Sequence, residues 1–192
     1  MRIALDAAPE HLRGWEWHLL NRLGDQSDRA IRTPDGAING MALTPDDRHL
    51  LTLEPSGVLR VFDVETGVHL RDIETGVLRS TLVMAPSGTL LLVSTRMVQN
   101  VVRAYAWPSG QRLWERRGLV SLTPFSSDER QVAISVVDAQ IVLILDAQSG
   151  QEIARLATGV RRSDGASISP DGTSVQLLDL QQGAVCTIDL AS

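Results

Sequence analysis

A turn signature that returns at near-constant spacing constrains this chain more than any other feature. Thr44-Pro45-Asp46-Asp47, Ala85-Pro86-Ser87-Gly88, Ser126-Ser127-Asp128-Glu129 and Ser169-Pro170-Asp171-Gly172 begin 41, 41 and 43 residues apart. A second marker keeps the same register: Asp63 with Thr66-Gly67 returns as Ser109-Gly110 and as Asp146 with Ser149-Gly150, and Asp189 lies 43 residues beyond Asp146. Two independent markers in one register define a structural repeat, and a period near 40 residues means stacked supersecondary units.

Between the markers the chain reads as short β-branched and aliphatic strands punctuated by Gly, Pro, Asp and Ser, as hairpins require. The first repeat offers residues 41–44, 49–53, 58–63 and 69–73. The second offers 81–84, 90–95, 101–106 and 112–115; the third offers 120–122, 132–136, 141–145 and 152–156. Four strands in about 40 residues make one blade of a β-propeller. Strands such as Leu90-Leu91-Leu92-Val93 are apolar on both faces, which is expected where a sheet is sandwiched between two others. The fourth repeat supplies 166–168, 175–178 and 185–190 and lacks an outer strand, for which Ala30-Ile31-Arg32 is the candidate substitute. That gives sixteen strands, hence an all-β chain of about four four-stranded antiparallel blades (about 38–76, 77–119, 120–159 and 160–192) within a domain spanning 29–192. A closed four-blade ring, an open arc with free end blades and a piece of a longer array all satisfy the count.

At the Pro-Asp-Gly turns and at Phe62-Asp63-Val64-Glu65-Thr66-Gly67 the chain resembles the WD40-repeat family, over roughly residues 30–190. The Gly-His pair that opens a typical repeat of that family is absent, with only Gly76, Gly118 and Gly159 nearby, so the usual buried histidine network cannot form. The repeat markers Pro45, Asp63, Gly67, Pro86, Gly110, Asp146, Gly150, Pro170, Asp171, Gly172 and Asp189 are therefore expected to be structural. The segment from Pro9 to Leu20 is similar to the stretch that precedes WD40 arrays in large bacterial proteins, especially those of planctomycete type. The resemblance implies a non-catalytic scaffold or sensor that binds a protein or peptide; with no signal peptide or membrane span seen in the sequence, the expected location is cytoplasmic.

Residues 1–28 form an amino-terminal segment. Asp6 can cap a helix and Pro9 suits its first turn, which predicts an amphipathic helix over about 9–23 that ends near Gly24. Leu12, Trp15, Leu19 and Leu23 share one stripe, while Trp17 lies well to the side. Trp17 is the candidate partner-binding residue, since tryptophan is enriched at binding hot spots. Packing of both tryptophans against blade surfaces is the competing expectation.

Chemistry is hard to place on this sequence. All eighteen basic residues are arginine, so neither a lysine Schiff base nor a phosphate-loop lysine is available. A net charge of −5 with basic residues paired only at Arg116/Arg117 and Arg161/Arg162 argues against nucleic acid. No apolar run approaches the roughly 18 residues of a membrane span, and the amino end lacks a secretory signal. His11, His18, His49 and His69 show no metal-ligand spacing, the acidic residues sit at the repeat turns, and no nucleophile elbow exists. Cys186 is alone in an apolar run and is expected to be a small buried residue. No catalytic residue, metal or cofactor is assigned. The alternatives to a binding scaffold are a structural segment completed by another copy or domain through its open end blades, and a small-molecule-sensing or enzymatic propeller.

Overall fold

The computed structural model describes residues 9, 13, 17, 30–34, 36–78, 80–95, 100–121, 123–161, 163 and 165–190. Met1–Arg32 and Thr33–Ser192 are two compact units. In the first, Pro9 and Arg13 lie outside regular structure and Trp17 is helical; the rest of the expected helix lies outside the described residues.

The second unit contains fourteen named strands in four antiparallel sheets. Blade 1 is β1 (Gly40–Leu43), β2 (His49–Leu53), β3 (Val58–Asp63) and β4 (His69–Glu74), and blade 2 is β5 (Ser80–Met84), β6 (Leu90–Thr95), β7 (Val101–Ala106) and β8 (Arg112–Arg117). Blade 3 holds β9 (Gln131–Val136), β10 (Ile141–Asp146) and β11 (Glu152–Ala157); blade 4 holds β12 (Ala166–Ile168), β13 (Ser174–Asp179) and β14 (Ala184–Asp189). Each blade is a meander in which sequence neighbours pair.

Two expected strands do not appear among the described residues. Val120 and Ser121 lie in no strand; isolated bridges join Leu119 to Ser135 and Phe125 to Val132, so five residues on one side lie opposite two on the other. Pro124 lies in that excursion; it has no N–H to give a ladder and is confined to such bulges. Ala30–Arg32 forms no strand, because it runs into a turn closed by the Gly36 N–H on the Thr33 carbonyl at 3.1 Å. Blades 3 and 4 thus have three named strands each, and the four-strand expectation holds for blades 1 and 2.

Three buried clusters join successive blades. Leu51, Leu53, Leu59 and Val61 meet Leu82, Leu91, Val93 and Tyr105 between blades 1 and 2. Leu90, Leu92, Val102 and Ala104 meet Val132, Ile134, Leu143 and Leu145 between blades 2 and 3. Ala133, Val142 and Ile144 meet Ala166, Ile168, Val175 and Leu177 between blades 3 and 4. Alternate residues of one strand serve opposite neighbours, which is why β6 and β10 read as unbroken apolar runs. No such cluster joins blade 4 to blade 1 among the described residues.

The blades are also keyed at their ends. Trp114 of β8 donates its indole N–H to the Ala147 carbonyl of blade 3 at 2.8 Å. Gly150 closes the β10–β11 turn directly over that ring, with φ +66°, and a Cβ there would sit 2.5 Å from Trp114 Cγ. Gly110 stands in the same relation to Ile73 one blade earlier, its added Cβ falling 2.8 Å from Ile73 Cδ1. Arg103 and Tyr105 of blade 2 both donate to the Thr75 carbonyl of blade 1.

The repeat-turn carboxylates belong to this scaffold. Asp46 accepts from the Thr44 hydroxyl at 2.5 Å and the Arg48 N–H at 3.1 Å; Asp128 repeats the arrangement with Ser126 and Arg130. Asp63 accepts from the Thr66 N–H and hydroxyl, and Asp146 from those of Ser149. Asp171 takes hydrogen bonds from Ser169 Oγ, the Thr173 N–H and Thr173 Oγ1, and its carboxyl is held down to about 2. Hydroxyl and backbone donors, in that order, lower the other four as well.

Two outcomes follow from this keying. Trp114→Ala is expected to cost about 3–5 kcal/mol, and Gly150→Ala more than the roughly 1–2 kcal/mol of a left-handed alanine, in urea unfolding. The double variant should cost less than the sum, since removing the indole removes the clash. For the carboxylates, folded pKa values below the unfolded value mean that the unfolded chain binds more protons in acid. Their contribution is present above the ordinary 3.8 and is lost as pH falls towards about 2. The thermal midpoint should therefore drop across that window, and Asp171→Asn should flatten part of the drop.

Candidate functional site

The turn carboxylates Asp46, Asp63, Asp128, Asp146 and Asp171 each accept from a hydroxyl and a backbone N–H. Among the described residues no group of three or more His, Cys, Asp or Glu side chains could hold a metal. His49 is half-buried with its ring 5.8 Å from that of Trp107, and its Nδ1 is buried without a hydrogen-bond partner. His69 Nε2 lies 2.6 Å from Asp72 and its ring 5.4 Å from Phe62. His11 and His18 lie outside the described residues.

Two clefts open at the end of the blades that carries the marker turns. The outer one, of about 540 Å³, is lined by His49, Val61, Leu70, Arg71, Trp107, Pro108 and Ser109. The Arg71 guanidinium lies 5.1 Å from the Trp107 ring centroid and donates to the Pro108 carbonyl. That cation–π contact and hydrogen bond close one wall of the cleft.

The inner cleft, of about 530 Å³, spans the first-strand ends of blades 2, 3 and 4. Met84, Pro86, Phe125, Ile168 and Pro170 give it apolar walls, and Thr123, Ser127, Ser167 and Gln176 give it neutral polar groups. Among the described residues no charged side chain lines it. The 120–124 excursion creates this surface by moving towards blade 4. Ser121 Oγ donates to the Ala166 carbonyl at 3.0 Å, and Ser167 Oγ lies 2.9 Å from Ser121 Oγ and 3.0 Å from Thr123 Oγ1. Gly165, at φ +124°, permits the approach: a Cβ there would be 2.5 Å from the Ser121 nitrogen.

The singled-out residues fall into three groups. Pro45, Pro86, Pro170, Asp171 and Gly172 occupy the first turns of their blades, and Asp63, Gly67, Gly110, Asp146 and Gly150 the third. Pro86 and Pro170 are the markers that also reach a cleft. Asp189 closes β14 and is exposed. Trp17 is half-buried, with the Arg13 guanidinium 4.9 Å from its ring. Cys186 is half-buried, not buried, because no named strand lies outside β14. Arg116 and Arg117 end β8, and Arg117 pairs with Asp138 at 2.8 Å.

One recurring device escaped the sequence reading. Thr75 and Thr158 each bond through both N–H and hydroxyl to a carbonyl of the facing turn, Gly57 and Gln140 respectively, and Val77 and Val160 are buried two residues on. Thr75-Gly76-Val77 and Thr158-Gly159-Val160 lie 83 residues apart, two periods. The signal was present, but Thr66-Gly67-Val68 repeats the same tripeptide in a different role.

No helix among the described residues is long and apolar enough to cross a membrane. No family model and no curated protein matches the chain. Among solved structures 1341 chains match, so the likeness is to a widely used architecture. One is the crystal structure of the β-propeller domain of Cps50 (Swd1) from Myceliophteria thermophila, with 17% identity and a TM-score of 0.66 over 77% of this chain. The chain spans about half, 52%, of that domain. The meander blades, their face-to-face stacking and this likeness together establish a β-propeller fold.

Proposed function

We propose that this chain is a WD40-type propeller array acting as a non-catalytic scaffold, with a partner peptide seated in the inner cleft. The observation that carries the reading is the cleft's lining: hydroxyl and amide groups beside proline, methionine and phenylalanine, with no charged side chain among the described residues. Neutral donors and acceptors between apolar walls suit the alternating backbone and side chains of an extended, uncharged peptide. Beside its hydroxyls the described lining has no histidine or carboxylate to act as a base. The propeller likeness supports a protein-interaction role in general.

The test is selection of binders from a random peptide library, followed by titration calorimetry on the winners. Thr123→Arg and Gln176→Arg place a charge in the cleft from exposed positions. Each should weaken binding at least tenfold with the melting temperature unchanged. Leu70→Arg, in the outer cleft, should leave binding intact. Peptides whose affinity ignores both inner-cleft substitutions would contradict the assignment.

A further inference from the structure

The corner where the second and fourth strands of one blade meet the third turn of the next is built from matching residues at successive junctions. Between blades 2 and 3 it holds Leu90, Trp114 and Ala147, all buried, with the indole N–H of Trp114 on the Ala147 carbonyl. Between blades 1 and 2 the same places, 41, 43 and 40 residues earlier, are taken by His49, Arg71 and Trp107. The register is the same, since Trp114 stands opposite Ala104 as Arg71 stands opposite Val61. These three side chains are only half-buried, and the corner stands open as the outer cleft of about 540 Å³.

The open corner holds hydrogen-bonding capacity that the protein leaves unused. Among the described residues the blade unit has three half-buried arginines, Arg60, Arg71 and Arg103. Arg60 holds Glu54 at 2.7 Å and Asp72 at 2.8 Å, and Arg103 holds Glu115 at 2.7 Å. Arg71 instead donates to the Pro108 carbonyl and lies against the Trp107 ring, and no carboxylate among the described residues pairs with it. Most of its N–H groups are left over, and stacking on the ring holds their plane. His49 lines the same cleft. With no hydrogen-bond partner on its buried Nδ1, nothing fixes its tautomer, so the ring adapts to a donor or an acceptor. Asp46 and Asp63 lie within electrostatic reach of His49, but each is held by its own turn donors and neither lines the cleft.

We infer that the outer cleft binds a carboxylate carried on an apolar body, its oxygens on the remaining Arg71 N–H groups and its body against Leu70, Trp107 and Pro108. A planar guanidinium matches a carboxylate in geometry as well as charge. A single arginine beside apolar walls suits one negative charge on an apolar group, whereas a phosphate chain calls for clustered cations. The carboxy terminus of a peptide and a small free acid share this chemistry. The site has no lining residue in common with the inner cleft, so peptide binding there could fail without touching it.

Calorimetric titration of the full chain with N-acetyl-phenylalanine and with its carboxamide reads the outcome. The acid is expected to bind at least tenfold more tightly than the amide, and Arg71→Gln to abolish that preference. In an NMR spectrum of the wild type the Trp107 indole N–H should shift with added acid while that of Trp114, in the filled corner, stays in place. The two wild-type arms stand if the variant fails to fold. A capped tripeptide ending in phenylalanine separates the sources: tighter binding than N-acetyl-phenylalanine assigns the site to a peptide carboxy terminus, and binding no tighter assigns it to a small free acid. Equal affinity for acid and carboxamide, no binding of the acid, or a Trp107 signal that does not move overturns the inference.

Discussion

Everything in the blade unit depends on covering both faces of a sheet. A strand such as β6, with Leu91 and Val93 on one side and Leu90 and Leu92 on the other, is stable only between two apolar neighbours, because either face left wet would forfeit several fully buried side chains. One blade cannot supply that cover for itself, so the smallest satisfied arrangement is a stack. The turns then need only hold each sheet at a fixed offset from the next. Glycines over Ile73 and Trp114, and the indole bond to Ala147, set that offset.

The pattern of cover also explains where the molecule is open. Blades 2 and 3 have a cluster on each face, whereas the outer face of blade 4 carries exposed Gln176 and Thr187 beside exposed Leu178 and Val185. The excursion between the Leu119 and Phe125 bridges turns an ordinary first strand into the wall of a cleft. Interaction surfaces arise here as local departures from the repeat.

Much of this was legible in the residues and some was not, for identifiable reasons. β2, β3, β6, β7 and β12 lie where alternation and turn residues put them, because burial on two faces and Asp, Gly or Ser at the turns leave one register available. The first strand of blade 3 misled: Val120 and Leu122 look like a strand, but Pro124 and the need to meet Gly165 draw the chain out of the ladder. Ala30–Arg32 fits the missing strand by position alone, with no turn marker or apolar alternation to fix a register. The inner cleft was invisible because its lining comes from three blades and from neutral residues that carry no motif. Cys186 reads as buried because its neighbours are apolar, whereas its exposure is set by what pairs with β14, which no local pattern encodes.

The central claim is that stability resides in blade-on-blade burial and falls at the uncovered end of the stack. Native-state hydrogen exchange, read residue by residue, tests it most directly. The account predicts that amides of β6, β7, β9 and β10, between two apolar clusters, exchange only through the slowest opening, and that those joining β13 to β12 and β14 exchange at least tenfold faster. Equal protection in β13 and β6 would contradict it, since the fourth blade would then be as firmly held as the blades that have a neighbour on each face.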